Sequence, residues 1–331
     1  MKALRFLVAA TIGQILAATA FLAASGHAAA QSFPTKPVRF VVPYPAGGGT
    51  DAVSRIVAQQ LSPRLGQPVL VDNQPGAGGN IGGAFVARAT PDGYTLLVAA
   101  TPMTTNPSLY RNIPFDVLKD FAPVSQMMRQ QFVLMAHPSV PVKSVDDIIA
   151  LAKRNPKALS FASHSAGGAN HLAGELLKVR AGIELLHVPY KGAAQALNDL
   201  LAGTVSLMFE NSSSMSFVEQ GRLVAIATSG PERTPLVAGG KLPTVSETKG
   251  LEGFNVIAWF GLLAPAGTPA EVVERLSSEV RAVLQQPEIR TRLNGMGYEV
   301  IGSSPRAFGD FMRSEVDKWS KVVSAAQIKL D

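Results

Sequence analysis

The stretch V-R-F-V-V-P-Y-P-A-G-G-G-T-D-A, residues 38–52, carries the pattern of a strand delivered through a glycine loop into a helix. Val38, Phe40, Val41 and Val42 form a short apolar run rich in β-branched residues, as in a buried strand. Pro43 and Pro45 end that run, because proline has no N–H for a sheet ladder. Gly47, Gly48 and Gly49 follow, and glycine enters the left-handed backbone region without a Cβ clash. Thr50 or Asp51 is placed to cap a helix in which Val53, Ile56, Val57 and Leu61 recur at helical spacing. Such a junction exposes N–H groups without intrahelical acceptors at the positive end of a helix dipole. That environment suits an anion.

The same unit recurs downstream. Residues 68–72 predict a second strand, N-Q-P-G-A-G-G-N (73–80) a second glycine loop, and residues 81–88 a helix. After an Asp92-Gly93 turn, residues 94–99 predict a third strand ending in T-P-M-T (101–104). Ligands of open α/β sheets sit at such strand ends. Residues 106–121 read as irregular, and residues 122–136 as two extended runs. From about Gln131 the rhythm starts afresh with a helix at 145–154, a strand at 159–162 and the loop S-H-S-A-G-G (163–168). A helix at 169–179 and a strand at 185–188 follow, then P-Y-K-G (189–192) opening a helix to Leu201. A strand at 205–209 ends in Glu210-Asn211, and one at 224–227 closes the block. Two βα series of similar length, without sequence repetition, imply two lobes. An apolar strand over 255–263 returns to the first lobe, and helices at 270–286 and 305–326 flank a short strand near Val300. Phe308, Phe311, Met312, Glu315 and Trp319 give the last helix a face that packs on a lobe.

Composition narrows the possibilities. The 331 residues are 47% apolar and 16% charged, which suits one large or two ordinary domains and argues against disorder. The formal charge is +6; Lys2 and Arg5 precede residue 31 and no acid does, leaving 28 basic against 24 acidic residues, or +4. No Lys/Arg run with interleaved aromatics occurs, so nucleic acid is not expected as a partner. The absence of cysteine removes disulfides, thiolate catalysis, cysteine-ligated zinc and a cysteine-linked lipid anchor. Residues 1–30 read as a secretory signal, with a basic start, an uncharged segment over 6–24 and Ala28-Ala29-Ala30 before cleavage at Gln31. Gly13, Gln14 and many alanines make that segment a weak membrane span. The mature chain is expected in a bacterial periplasm.

Several chemistries compete for these residues. Residues 47–52 fit G-x-G-x-x-G/A, and Asp72 ends the next strand about where a dinucleotide fold places its ribose-binding acid. A secreted dinucleotide-dependent oxidoreductase using residues 47–49 is therefore the competing reading. Pro43 and Pro45 interrupt the approach to the loop, a second glycine loop follows Asp72, and free nicotinamide nucleotides are scarce outside the cytoplasm. His164, His171 and His187 match no zinc spacing. Neither G-x-S-x-G, H-E-x-x-H nor a P-loop occurs, and S-x-x-K at 246–249 lacks its companions. No catalytic residue, metal or cofactor is expected. Glu210 is the one acid at a second-lobe strand end, either facing the cleft or solvated in a loop.

V-V-P-Y-P-A-G-G-G-T-D (41–51), N-Q-P-G-A-G-G-N-I-G (73–82), P-D-G-Y-T-L-L (91–97), H-L-A-G-E-L (171–176), H-V-P-Y-K-G (187–192) and W-F-G-L-L-A-P-A-G-T-P (259–269) together resemble the Bug family. These are the periplasmic solute receptors of tripartite tricarboxylate transporters. The resemblance covers essentially the whole mature chain. It implies an α/β, two-lobed periplasmic-binding-protein clamp of type II-like form, each lobe a mixed sheet flanked by helices. Lobe 1 would comprise residues 31–130 and 256–331, and lobe 2 residues 131–255. It further implies a monomer that captures a small carboxylate and delivers it to membrane permease subunits; reporting the ligand to a membrane sensor is a variant. Tyr44, Ala46, Gly47, Gly48, Thr50 and Asp51, with Gly79, Asn80 and Ile81, would hold one carboxylate, partly through water. Thr101 would reach the cleft from the third loop, while Ser163, Gly167, Gly168, Asn170 and His171 would supply lobe 2. Glu210 stands where many relatives carry aspartate. Backbone amides do not distinguish what carries a carboxylate, so selectivity is expected from the lobe 2 positions.

Overall fold

The computed structural model describes residues 33–328 except 157, 165, 166 and 191. The expected signal peptide, Lys191 and Ser165-Ala166 of the lobe 2 loop lie outside the described residues. Strand β1 (Val38–Val42) feeds helix α1 (Gly49–Leu65), and β2 (Val69–Asn73) feeds α2 (Asn80–Ala87). Strand β3 (Thr95–Ala100) then leads to α3 (Pro102–Leu109). β1 lies between β2 and β3 and is parallel to both. Val38, Phe40, Val41 and Leu97 are fully buried, as continuous apolar strands must be when helices cover both faces of a parallel sheet.

Helix α3 lies where irregular chain was expected. Pro102 and Pro107 caused the misreading: Pro102 occupies the first turn, where a missing N–H costs nothing, and the helix ends two residues after Pro107. The helix cap also differs from expectation. Gly48, not Thr50 or Asp51, occupies the N-cap with extended angles (φ −77°, ψ 170°).

The two extended runs expected over 122–136 are one strand, β4 (Phe121–Ala136). Ser125, Gln126, Gln130 and Gln131 break its apolar pattern but are buried, with Ser125 donating to Ser303 O and Gln131 to Glu232 O. The strand changes partners and not course.

A second set of elements repeats the first. After α4 (Val145–Arg154), capped by Ser144 and Asp147 in a reciprocal box, come β5 (Ser160–Ser163), α5 (Ala169–Ala181) and β6 (Leu186–Pro189). Helix α6 (Ala193–Leu201) then leads to β7 (Leu207–Asn211). β5 lies between β6 and β7 and is parallel to both, the order seen for β1 between β2 and β3. Short α7 (Met215–Glu219) and β8 (Val224–Thr228) complete this half.

Strand β9 (Ile257–Pro265), expected as a strand over 255–263, runs antiparallel between β3 and β4. Helices α8 (Ala270–Leu284) and α9 (Pro287–Gly295) precede β10 (Glu299–Val300) and the final helix α10 (Pro305–Ala326). Phe308 and Met312 of α10 pack with Val41, Leu97 and Trp259 in the first half. Trp319, Val322 and Val323 pack with Phe161, Leu172 and Leu177 in the second. The last helix therefore straddles both halves, through a periodicity that showed its face but not its neighbours.

One close approach gives a test of this packing. A Cβ at Gly174, in the middle of α5, would overlap the Phe161 ring. Gly174→Ala is expected to cost about 2 kcal/mol despite its better helix propensity, because overpacking outweighs the gain. A chemical denaturation midpoint measures this; an unchanged or raised midpoint would contradict the packing.

Candidate functional site

Connections from β1 run one way to β2, and those reaching β3 run back past β1, so chain order reverses between β1 and β3. The same reversal lies between β5 and β7. Each half thus has a crevice at the C-terminal ends of two adjacent parallel strands, the position where α/β sheets bind ligands. Register brings the two crevices together. Ala100, at the end of β3, pairs with Phe260, which pairs with Met128 of β4. Asn211, at the end of β7, pairs with Phe132, four residues further along the same strand. Side chains close the remaining distance: a Cβ at Gly297 would overlap the Ser212 hydroxyl, and one at Gly49 the Tyr298 hydroxyl.

The loops after β1 and β5 are built alike. Gly47 (φ 84°) donates its N–H to Asp51 Oδ2 at 2.9 Å, and Gly167 (φ 74°) donates to His171 Nδ1 at 2.9 Å. Gly48 and Gly168 are both extended N-caps without side-chain caps. G-G-G-T-D (47–51) and G-G-A-N-H (167–171) are one local motif used twice. The expectation of no sequence repetition missed it, because only two glycines are shared. Asp51 and His171 accordingly hold the loops in shape, and the first-turn N–H groups of α1 and α5 stay free of intrahelical acceptors.

The remaining expected residues fall around these cradles. Gly79 is buried, and a Cβ there would lie 3.2 Å from Tyr44 Oη. Asn80 Oδ1 accepts from Asn106 Nδ2 at 2.8 Å, and Asn106 also donates to Gly78 O. Asn106 was missed because it lies in α3, within the stretch read as irregular. Ala46 and Gly48 are exposed on the open first loop, and Thr50 is buried beneath it. Thr101 Oγ1 accepts from Trp259 N and keeps its own proton to donate. Ile81 turns its side chain over Gly76 and is 56% exposed, so only its backbone serves the loop.

In the second half, Ser163 is buried and its Oγ lies 2.7 Å from His187 Nε2. The His187 ring stacks on His171 with centroids 3.9 Å apart, and on Phe161 at 4.8 Å. Burial drives His171 down to a pKa of about 3 and His187 to about 4, so both rings are neutral. Donor atoms of His171, Glu175 and His187 approach within 4.8 Å of one another. The donor chemistry does not suit a metal ion: His171 Nδ1 accepts the Gly167 N–H, leaving Nε2 protonated, and Glu175 is ion-paired with Lys178. Asn170 is fully buried with neither amide atom partnered among the described residues, and the same holds for Tyr44 Oη, His164 Nε2 and Glu210 Oε2. Glu210 therefore lies inside the protein and not in solvent.

Asp72, which a dinucleotide fold would turn to a ribose, is instead ion-paired with Arg39 and accepts from Gln74 Nε2. A separate apolar concavity lies beside Ile81, Phe85 and Tyr110. It lacks the orphaned polar atoms of the crevices, so the crevices hold the recognition chemistry.

The junction between halves is compact. Ser229 N donates to Phe132 O, its Oγ accepts from Phe132 N and donates to Val256 O, and Val256 N returns a bond to Ser229 O. One serine thus ties β4 to the chain entering β9.

Comparison with known proteins agrees with this architecture. Protein BugT of Bordetella pertussis is 34% identical over 316 residues, covering 94% of this chain and 96% of BugT. A protein of R. palustris solved with adipate has a TM-score of 0.77 at 35% identity, covering 90% of this chain and all of that one. MatC from Rhodopseudomonas palustris with bound malate has a TM-score of 0.73 at 31% identity, covering 88% of this chain and all of MatC. The fold is accordingly that of the periplasmic solute-binding receptors, a class of binding proteins and not of enzymes. The model described as the tripartite tricarboxylate transporter family receptor matches residues 53–328, and the chain belongs to that family.

Proposed function

We propose that this receptor captures a small dicarboxylate between its two glycine cradles and delivers it to the membrane permease subunits of a tripartite transporter. The carrying observation is the doubled loop: two glycine turns, each held by the side chain four residues on, stand at the order reversals of two strand sets that are joined through β4. Each cradle suits one anionic end. The adipate and malate held by the solved relatives support two such ends. Tyr44, Ala46, Gly48, Thr50, Gly79, Asn80 and Thr101 serve one carboxylate, while Gly168, Asn170 and Glu210 serve the far end. Gly47, Asp51, Ile81, Ser163, Gly167 and His171 shape the loops. The lobes comprise residues 31–130 with 256–331, and 131–255; the partner exchange at Gln131–Phe132 and the Ser229–Val256 tie support these boundaries. Ligand held by both lobes favours the closed state by its added contacts. The protein acts as a monomer in the periplasm after loss of residues 1–30; among the described residues no helix is long and apolar enough to cross a membrane.

A thermal-shift screen with acetate, succinate, malate, adipate, citrate, glutamate and benzoate tests this. Succinate, malate or adipate at a thousandfold excess over Kd is expected to stabilise the protein by about 4 kcal/mol, with no chemical change in the acid. Consumption of any acid, or no shift with all seven, would overturn the proposal.

A further inference from the structure

Glu210 sits where the two parallel strands of the second crevice diverge. Leu207 and Met208 of β7 pair with Phe161 and Ala162 of β5. Glu210 lies two residues beyond Met208 and His164 two beyond Ala162, and Glu210 shares the sheet face of Met208. Glu210 Oε1 accepts the Asn211 N–H at 2.9 Å, while Oε2 is buried without a partner among the described residues. An ionised carboxylate buried in this way would need several donors or a cation.

Among the described residues the surrounding elements offer no cation. β4 places Val133 opposite Glu210, and its Arg129 is paired with Glu299. The β5 end contributes His164, whose pKa burial lowers. The β6 end contributes Tyr190, whose hydroxyl donates to Asp199 of α6 at 2.6 Å. The turn after β7 is Ser212–Ser214, and α7 adds only Glu219 at its far end. Helix α5 carries His171, kept neutral by burial, and the Glu175–Lys178 ion pair. Lys191 lies outside the described residues.

We propose that Glu210 meets the ligand as the neutral carboxylic acid, donating its proton to the far carboxylate of a dicarboxylate, so that capture above neutral pH takes up as much as one proton from solvent. The inference rests on the receptor reading above. Two carboxyl groups brought together in a dry site cannot both remain ionised, and a single shared proton turns their repulsion into a charge-assisted hydrogen bond. An ionised Glu210 would select the reverse, an ammonium group. The device therefore favours a dicarboxylate over an amino acid of equal length. Desolvation pushes Glu210 up to about 7, which places the proton within reach of neutral pH. Burial lowers the pKa of His164, which favours its neutral form.

Calorimetric titration of the purified protein with succinate and with adipate, from pH 6 to 8.5, tests this. Running it in two buffers of different ionisation enthalpy counts the protons. The expected Kd is nearly level below pH 7 and rises about 15-fold between pH 7 and 8.5, with uptake approaching one proton. In Glu210→Gln, a permanent donor of similar shape, the pH dependence and the proton uptake should both vanish. Glu210→Ala should bind weakly at every pH. A circular dichroism melt confirms that each variant is folded. Binding of succinate or adipate that is level with pH and takes up no proton overturns the Glu210 assignment and leaves the receptor reading standing. Tighter binding of glutamate than of either, lost in Glu210→Gln, overturns it in favour of an ionised acid. No binding of either acid at any pH overturns the Glu210 assignment, and the receptor reading falls with it only if the other five acids of the thermal-shift screen also give no shift.

Discussion

Acidification from pH 7 to pH 5 is expected to remove about 4 kcal/mol of folding stability from the Glu210→Gln variant, roughly twice the loss in the unsubstituted protein. The source is the ring stack of Phe161, His187 and His171. Burial drives His171 to about 3 and His187 to about 4, whereas an unfolded histidine titrates near 6.5. The unfolded chain therefore binds more protons throughout this window. Stability is complete above the unfolded value and is lost as pH falls, by about 2 kcal/mol per ring at pH 5. Glu210 acts in the opposite sense. Its folded value of about 7 lies above the ordinary 4.5, so the folded state binds the extra proton and regains about 2 kcal/mol over the same window. The substitution removes that compensation and exposes the full histidine slope. Urea titrations at pH 7, 6 and 5 measure both slopes. His187→Asn should remove about half of the loss, and equal slopes with and without Glu210 would contradict its raised proton affinity.

Gly48→Val is expected to weaken binding of succinate and adipate at least about 100-fold, equal to about 2.7 kcal/mol, with little change in melting temperature. Gly48 has extended angles that any L-residue adopts, is exposed, and a Cβ there meets only Pro45 O at 3.5 Å. Folding therefore tolerates the side chain. Binding does not, because the isopropyl group covers the first-turn N–H groups of α1, and charge-assisted bonds to a carboxylate contribute about 1.5–3 kcal/mol each. Gly79 would be a poorer probe. Its φ of 98° and the nearby Tyr44 hydroxyl make any side chain there a folding defect as well. Calorimetry with a parallel melt separates the effects; retained affinity would remove the first loop from the site.

Much of the site was legible before the fold was known, because anion cradles leave a compositional trace. Residues 76–79 all have positive φ, and such a run is written mostly in glycine, Ala77 being the exception. Buried parallel strands are likewise written as apolar runs. Other features left no such trace. Asn106 joins Gly78 and Asn80 across 26 residues or more, and a lone asparagine between prolines has no pattern. The polar residues of β4 suggested a break, since nothing local shows that Ser303 and Glu232 satisfy them.

By itself the sequence determined the alternation of strands and helices, the glycine junctions that present amide hydrogens, and the family to which those motifs point. These depend on φ preference, apolar period and proline's missing donor, all properties of neighbouring residues. Only the tertiary structure decided that β4 runs unbroken through both halves, that Asp51 and His171 play matching parts, and that Glu210 lies buried with one oxygen unpartnered. Each of those depends on which distant strand supplies the next hydrogen bond, and the partner's identity is encoded nowhere near the residue it satisfies.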